Sequence, residues 1–156
     1  MLWDGVATHN LTNTPDYEES PGLWNADGQL AFTMCTDRYT CDLMLWDGMT
    51  VHNISNTPTT METTYLWSND GRMLVVRTCN IQQQTCEMLL WDGTTISDFS
   101  SISTADEIPI QWDTNGHLLF RACQRTYCDI MLWDGTTTTR LTNTLSIIDH
   151  FAAWLP

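Results

Sequence analysis

A five-residue motif ending in Leu-Trp-Asp-Gly occurs four times in this chain of 156 residues. Its tryptophans are spaced by 43, 45 and 42 residues, at Trp3, Trp46, Trp91 and Trp133. A second tryptophan series lies between them, at Trp24, Trp67, Trp112 and Trp154. The two series account for all eight tryptophans of the chain. Internal repetition at this period indicates an array of small, similar structural units.

Each repeat contains four short segments with the composition of β-strands, separated by turn signals. The first segment ends at the second-series tryptophan and is followed by a turn that closes on glycine, as in NADG (25–28), SNDG (68–71) and DTNG (113–116). The third segment closes on the Asp-Gly of the LWDG motif, another hairpin signal. The fourth is rich in threonine, as in TTTTRLTN (136–143), which is typical of an exposed outer strand.

The middle segments of each repeat are apolar without a regular alternation, as in QLAFTMC (29–35) and HLLFRAC (117–123). Both faces of these strands are therefore expected to be covered. A four-stranded sheet packed between neighbours is a propeller blade. The sequence predicts an all-β fold, a β-propeller of four-stranded blades of ~43 residues. We expect a partial blade at 1–14, complete blades at about 20–57, 63–101 and 107–144, and a partial blade at 150–156.

Three blades and two partial blades are not expected to close into a ring alone, because an end blade leaves apolar surface and strand edges in water. Two interpretations remain open. The chain is a segment of a longer propeller, or several copies assemble into one.

The repeats resemble the TolB-like, WD40-like propeller repeat, also called PD40. The resemblance rests on Leu11-Thr12 to Pro15, Trp24, Asp27-Gly28 and Leu30-Ala31-Phe32. It recurs in the next repeat at Pro58, Trp67, Asp70-Gly71 and Met73-Leu74-Val75. The third repeat departs from it, with DFSSIST (98–104) in place of the LTNTP-like segment. The resemblance implies a β-propeller used as a protein-binding platform, often outside the cytoplasm or as a module of a larger protein.

The six cysteines form one closely spaced pair in each complete repeat, at Cys35/Cys41, Cys79/Cys86 and Cys123/Cys128. Each pair flanks the turn between the second and third strands, so we predict three cross-strand disulfides. Metal binding is the alternative, but one hairpin supplies only half a zinc site. Disulfides predict an oxidising compartment: secreted, cell-surface or periplasmic. No signal peptide is recognisable in this chain.

The charge of the chain limits its partners. The net charge is −13, and all six basic residues are arginine. Repulsion disfavours a nucleic acid and an anionic membrane surface as partners. No apolar run reaches the roughly 20 residues that span a bilayer, so membrane insertion is not expected.

A partner surface is predicted at the end of the propeller where the blade connections and the hairpin tips meet. The hairpin tips supply Arg38, Tyr39, Arg125 and Tyr127, and the connections supply Glu18, Glu19, Glu62, Asp106 and Glu107. Arginine and tyrosine are enriched in interface hot spots, and the acidic residues would steer a cationic partner. The alternative is a solvated loop face without a partner.

No catalytic group, metal site or cofactor is predicted, and we expect a non-catalytic binding or scaffolding protein. There is no G-x-S-x-G motif, and His9 and His52 give way to Ser97 and Thr139 in the other repeats. Two other functions remain open. Tryptophans could bind carbohydrate as in a lectin, although filling the space between blades is the simpler role. Alternatively, the repeats could self-associate through open blade edges.

Overall fold

A computed structural model describes residues 1–80, 82, 85–100, 106–124, 126–143 and 152–154. These residues form fifteen β-strands and no helix, so the prediction of an all-β fold is confirmed. Accordingly, nothing in the described ranges is a helix of the length and apolar character needed to cross a membrane.

The strands pair with their neighbours in sequence. A two-stranded ribbon comes first, β1 (Leu2–Trp3) with β2 (Thr8–His9). The first unit (18–53) contains β3 (Glu18–Glu19), β4 (Leu23–Trp24), β5 (Leu30–Asp37), β6 (Thr40–Trp46) and β7 (Val51–Asn53). In this unit β3 and β4 both pair with β5, which pairs with β6, and β6 pairs with β7.

The second and third units repeat this arrangement with an unbroken first strand. The second unit (61–98) contains β8 (Met61–Trp67), β9 (Leu74–Asn80), β10 (Thr85–Trp91) and β11 (Ile96–Asp98). The third unit (106–140) contains β12 (Asp106–Trp112), β13 (Leu118–Gln124), β14 (Tyr127–Trp133) and β15 (Thr138–Arg140). In both units every strand pairs antiparallel with the next.

The first strand of every unit is irregular at one equivalent place. The pairing register shifts between Thr64 and Leu66 in β8 and between Pro109 and Gln111 in β12. In the first unit the strand is interrupted there, by Pro21-Gly22 between β3 and β4. Proline lacks a backbone N–H, so it is tolerated at a bulge or on an outer strand of a sheet.

Neighbouring units pack face to face and share two apolar cores. One core joins the first and second units, with Ala31, Leu43 and Leu45 against Leu74, Val76 and Trp91. The other joins the second and third units, with Val75, Met88 and Leu90 against Trp112, Leu118, Phe120, Ala122, Met131 and Trp133. The middle strands of the second unit are thus covered on both faces, which explains their lack of regular alternation.

The glycine-ended turns also join neighbouring units. Gly71 has a φ of +72°, which L-residues rarely adopt, and a Cβ there would lie 3.2 Å from the backbone nitrogen of Ala26. The side-chain amide of Asn25 donates to the Gly71 carbonyl at 3.0 Å. Asn69 likewise donates to the Asp113 carbonyl at 2.8 Å. The predicted turns therefore link each unit to the next.

Three disulfides cross the hairpins between the second and third strands, as predicted. They join Cys35 to Cys41, Cys79 to Cys86 and Cys123 to Cys128, and the two cysteines of each pair lie directly opposite in the strand register. Every cysteine of the chain is used.

We expect the double substitution Cys79→Ser/Cys86→Ser to lower the free energy of unfolding by about 2 kcal/mol, because it frees the unfolded chain from a short closed loop. Urea unfolding followed by tryptophan fluorescence measures this change. A Thr78→Ser variant, which keeps the hydroxyl and the disulfide, serves as the control. Equal stability of the double variant and the wild type would show that strand pairing alone holds the hairpin.

Candidate functional site

The predicted partner surface is exposed at its hairpin tips. Arg38 and Tyr39 lie at the turn between β5 and β6, and Tyr39 is 53% exposed. The guanidinium carbon of Arg38 lies 5.9 Å from the centroid of the Tyr39 ring, a cation–π distance. Tyr127 begins β14, where its hydroxyl donates to the Gln124 side chain at 2.6 Å. Arg125 lies outside the described residues.

Three acidic residues of the predicted surface are exposed. Glu18 and Glu19 form β3, and Asp106 begins β12. The Asp106 carboxylate pairs with Arg77 of the second unit, and its side chain stays 51% exposed. This ion pair links the second and third units, whereas Glu18 and Glu19 are exposed in the first unit.

The prediction that Glu62 and Glu107 lie on this surface is wrong. Glu62 is 3% exposed and Glu107 is fully buried. Side chains alternate between the two faces of a strand, and each glutamate points away from solvent while its preceding neighbour is more exposed. Both carboxylates lie where one unit connects to the next.

The connection that precedes each glutamate supplies hydroxyl groups that donate hydrogen bonds to its carboxylate. Ser55 donates to Glu62 Oε2 at 3.0 Å and Thr60 donates to Oε1 at 2.6 Å, with a further hydrogen bond from Thr57. Thr12 donates to Glu19 Oε1 at 2.9 Å in the same way. In each case a hydroxyl lies seven residues before the carboxylate. This seven-residue spacing is the feature of the sequence that could have predicted a structural role for these glutamates.

Among the described residues, Glu107 has fewer hydrogen-bond donors than Glu62. The Met88 backbone N–H donates to Glu107 Oε2 at 3.0 Å, the Ser100 side chain also binds the carboxylate, and Oε1 has no partner among the described residues. Burial raises the pKa of Glu107 to about 7, although these hydrogen bonds oppose the shift. In the sequence, Ile102 and Ala105 stand where the second repeat has Thr57 and Thr60. The third repeat therefore has no hydroxyl at these two sequence positions.

The aspartate of each LWDG motif closes the turn that follows it. Asp92 Oδ1 accepts the backbone N–H groups of Thr94 and Thr95 at 2.9 and 2.8 Å, and Asp4, Asp47 and Asp134 make the equivalent pairs. These backbone hydrogen bonds hold the pKa of each of the four aspartates well below its usual range. The recurrence of Asp-Gly in all four LWDG motifs is thus explained by the turn that follows each motif.

The two histidines of the outer strands contact these turns. His9 Nε2 lies 2.6 Å from Asp4 Oδ2, and His52 Nε2 lies 2.9 Å from Asp47 Oδ2. Both histidine side chains are about half exposed, at 52%. The aspartates that they contact already accept backbone N–H groups of the turns. This supports the interpretation of the two histidines as surface residues.

The two tryptophan series meet inside each unit. Near-perpendicular ring pairs form at centroid distances of 5.8, 5.8 and 5.9 Å, between Trp24 and Trp46, Trp67 and Trp91, and Trp112 and Trp133. The predicted packing role is confirmed where the pair is buried, as in the third unit. In contrast, Trp24 is 49% exposed and Trp3 is 63% exposed. The exposure of these two indoles distinguishes the N-terminal ribbon and the first unit from the third unit.

No protein-family model matches this chain, and no curated protein matches it in sequence. The resemblance to TolB-like repeats therefore stays a prediction from the sequence motifs.

Proposed function

We propose that this chain is a non-catalytic, extracytoplasmic segment of a TolB-like β-propeller, and that it serves as a protein-binding surface. The four-stranded units then correspond to propeller blades, each packed against the next. The first unit, together with β1 and β2, is the part that meets the partner.

The observation that carries this proposal is the distribution of exposed apolar side chains. Of the eight large apolar residues that are exposed in the described chain, seven belong to residues 1–49: Met1, Trp3, Val6, Tyr17, Trp24, Tyr39 and Met49. The equivalent of Trp24 in the third unit, Trp112, is only 3% exposed. Exposed apolar residues in this concentration are typical of an interaction surface.

The charges of the first unit indicate the chemistry of the partner. Glu18 and Glu19 are exposed in the same unit, and the chain as a whole carries a net charge of −13. Such a field attracts a cationic protein and speeds its association. Tyr39 and Trp24 are the side chains best suited to act as hot spots. We therefore expect a basic protein with an apolar contact patch.

The carboxylates support a structural rather than a catalytic role. The four LWDG aspartates accept turn N–H groups, and Glu62 is bound by hydroxyl groups of its own connection. Three disulfides support an oxidising, extracytoplasmic location.

Affinity capture from the extracytoplasmic fraction of the source cells tests the proposal. We expect the wild type to retain a protein that then binds directly when purified. Trp24→Ser and Tyr39→Ser should each weaken this binding about tenfold or more, as is typical of hot-spot residues. Asn115→Ser, an exposed substitution in the third unit, is the matched control and should bind as the wild type does.

Light scattering of each purified variant separates partner binding from self-association. A wild type that retains no protein, or a partner that binds Trp24→Ser and Tyr39→Ser with wild-type affinity, would contradict the proposed surface. A concentration-dependent oligomer that both substitutions disrupt would show that the surface joins copies of this chain.

A further inference from the structure

A cleft of about 860 Å³ lies between the first strands of the second and third units, β8 and β12. Three tryptophans of the same sequence series line it: Trp67, Trp112 and Trp154. The turns that follow the two strands contribute Asn69 and Asn115, and β12 contributes Gln111. The cleft is on a different part of the molecule from the exposed residues of the first unit.

Two indole N–H groups in the cleft wall lack hydrogen-bond partners among the described residues. Trp67 Nε1 donates to the Leu23 carbonyl of the first unit at 2.9 Å. The nitrogens of Trp112 and Trp154 are shielded from solvent and have no partner within the described ranges. A buried donor without an acceptor costs free energy. The hydrogen bond that Trp67 makes to the preceding unit thus has no equivalent at Trp112 within the described ranges, and the cleft lies beside Trp112.

The polar groups that remain open to the cleft are neutral. Asp113 is the one carboxylate among the described lining residues, and its Oδ1 accepts the backbone N–H groups of Asn115 and His117 at 2.8 Å each. Its Oδ2 lies 2.9 Å from His117 Nδ1. Gln111, by contrast, is exposed on β12. Because the carboxylate is already engaged, the lining favours a neutral ligand over a cation.

We propose that this cleft binds a neutral carbohydrate. The partly exposed indole rings of Trp67 and Trp154 offer flat apolar faces for the C–H face of a pyranose ring, which is the use made of amphipathic aromatic rings in binding sites. The side-chain amides of Gln111 and Asn115 are suited to bind sugar hydroxyls, since each amide both donates and accepts hydrogen bonds. Apolar walls with a few polar groups are the usual composition of a small-molecule site. The proposal is independent of the protein-binding surface on the first unit.

Isothermal titration with neutral oligosaccharides built from glucose, galactose, mannose or N-acetylglucosamine tests the proposal, with tryptophan fluorescence as a second readout. We expect at least one of them to bind saturably. Gln111→Ala, which removes an exposed side chain, and Trp154→Ala should each weaken binding about tenfold or more. Leu141→Ala is the matched control, because it removes an exposed apolar side chain at the end of the third unit, outside the cleft, and it should leave sugar binding unchanged.

Two measurements separate the possible outcomes. Circular dichroism and thermal unfolding show whether each variant is folded, and Gln111→Ala provides the test if Trp154→Ala does not fold. Sugar binding should vary little between about 0.05 and 0.5 M salt, since no ion pair is involved. Failure of every oligosaccharide to bind, or equal weakening by Leu141→Ala, would overturn the proposal. Salt-sensitive binding of tetramethylammonium in place of sugar would also overturn it, in favour of a cation site.

Discussion

Replacement of Phe120 by alanine is expected to lower the free energy of unfolding by about 4 kcal/mol, the range found for large-to-small changes in protein cores. Phe120 is fully buried on β13, and its ring lies 5.8 Å from that of Phe99. It belongs to the core that joins the second and third units. The loss should therefore affect both units, and urea unfolding should keep a single transition at a lower midpoint.

The control for Phe120→Ala is Tyr39→Ala, which truncates an aromatic side chain that is 53% exposed. Exposed substitutions of this kind change stability by about 0.5 kcal/mol or less. A separate transition for the third unit in Phe120→Ala, with the rest of the chain unchanged, would show that the units fold independently. Because the second and third units share a core, we expect them to unfold together.

Glu107→Gln is expected to stabilise the chain by up to about 3 kcal/mol above pH 7, which is the free-energy equivalent of the shift in the pKa of Glu107. The folded protein holds this side chain with a pKa of about 7, against an ordinary value of 4.5. Glutamine resembles the protonated acid, so it keeps an acceptor for the Met88 N–H without introducing a buried charge. Denaturant unfolding of both proteins at pH 5, 6, 7 and 8 measures the effect.

The sign follows from the direction of the shift. Because the folded state binds the proton of Glu107 more tightly than the unfolded state does, the stabilising contribution is complete below pH 4.5 and is lost as the pH rises through 7. The wild type should therefore lose stability across this window relative to Glu107→Gln. The difference between the two proteins removes the contributions of other groups that titrate in both.

Glu18→Gln is the matched control, because Glu18 is exposed on β3, and its stability curve should run parallel to that of the wild type. Parallel curves for Glu107→Gln and the wild type would contradict a raised pKa at Glu107. A loss of stability at every pH would instead show that the carboxylate itself is required at the junction.

Several features of this protein follow from short stretches of sequence. Glycine in the turn at 68–71 and the Asp-Gly of each LWDG motif predict tight turns, and both are present. Cysteines on either side of one hairpin predict a disulfide, because strand pairing brings them opposite each other. Such features depend on residues within one repeat, so the sequence alone predicts them.

Burial and exposure depended on which unit lies next to each residue. Glu19 is exposed, whereas the equivalent Glu107 is buried, although the two occupy the same place in the repeat. Trp24 and Trp112 differ in the same way. Packing of the neighbouring unit covers Trp112, whereas Trp24 is left half exposed. The repeat therefore determined the strands, turns and disulfides through local contacts. Only the packing of unit against unit decided which carboxylates are buried, which tryptophans face solvent and where a cleft remains.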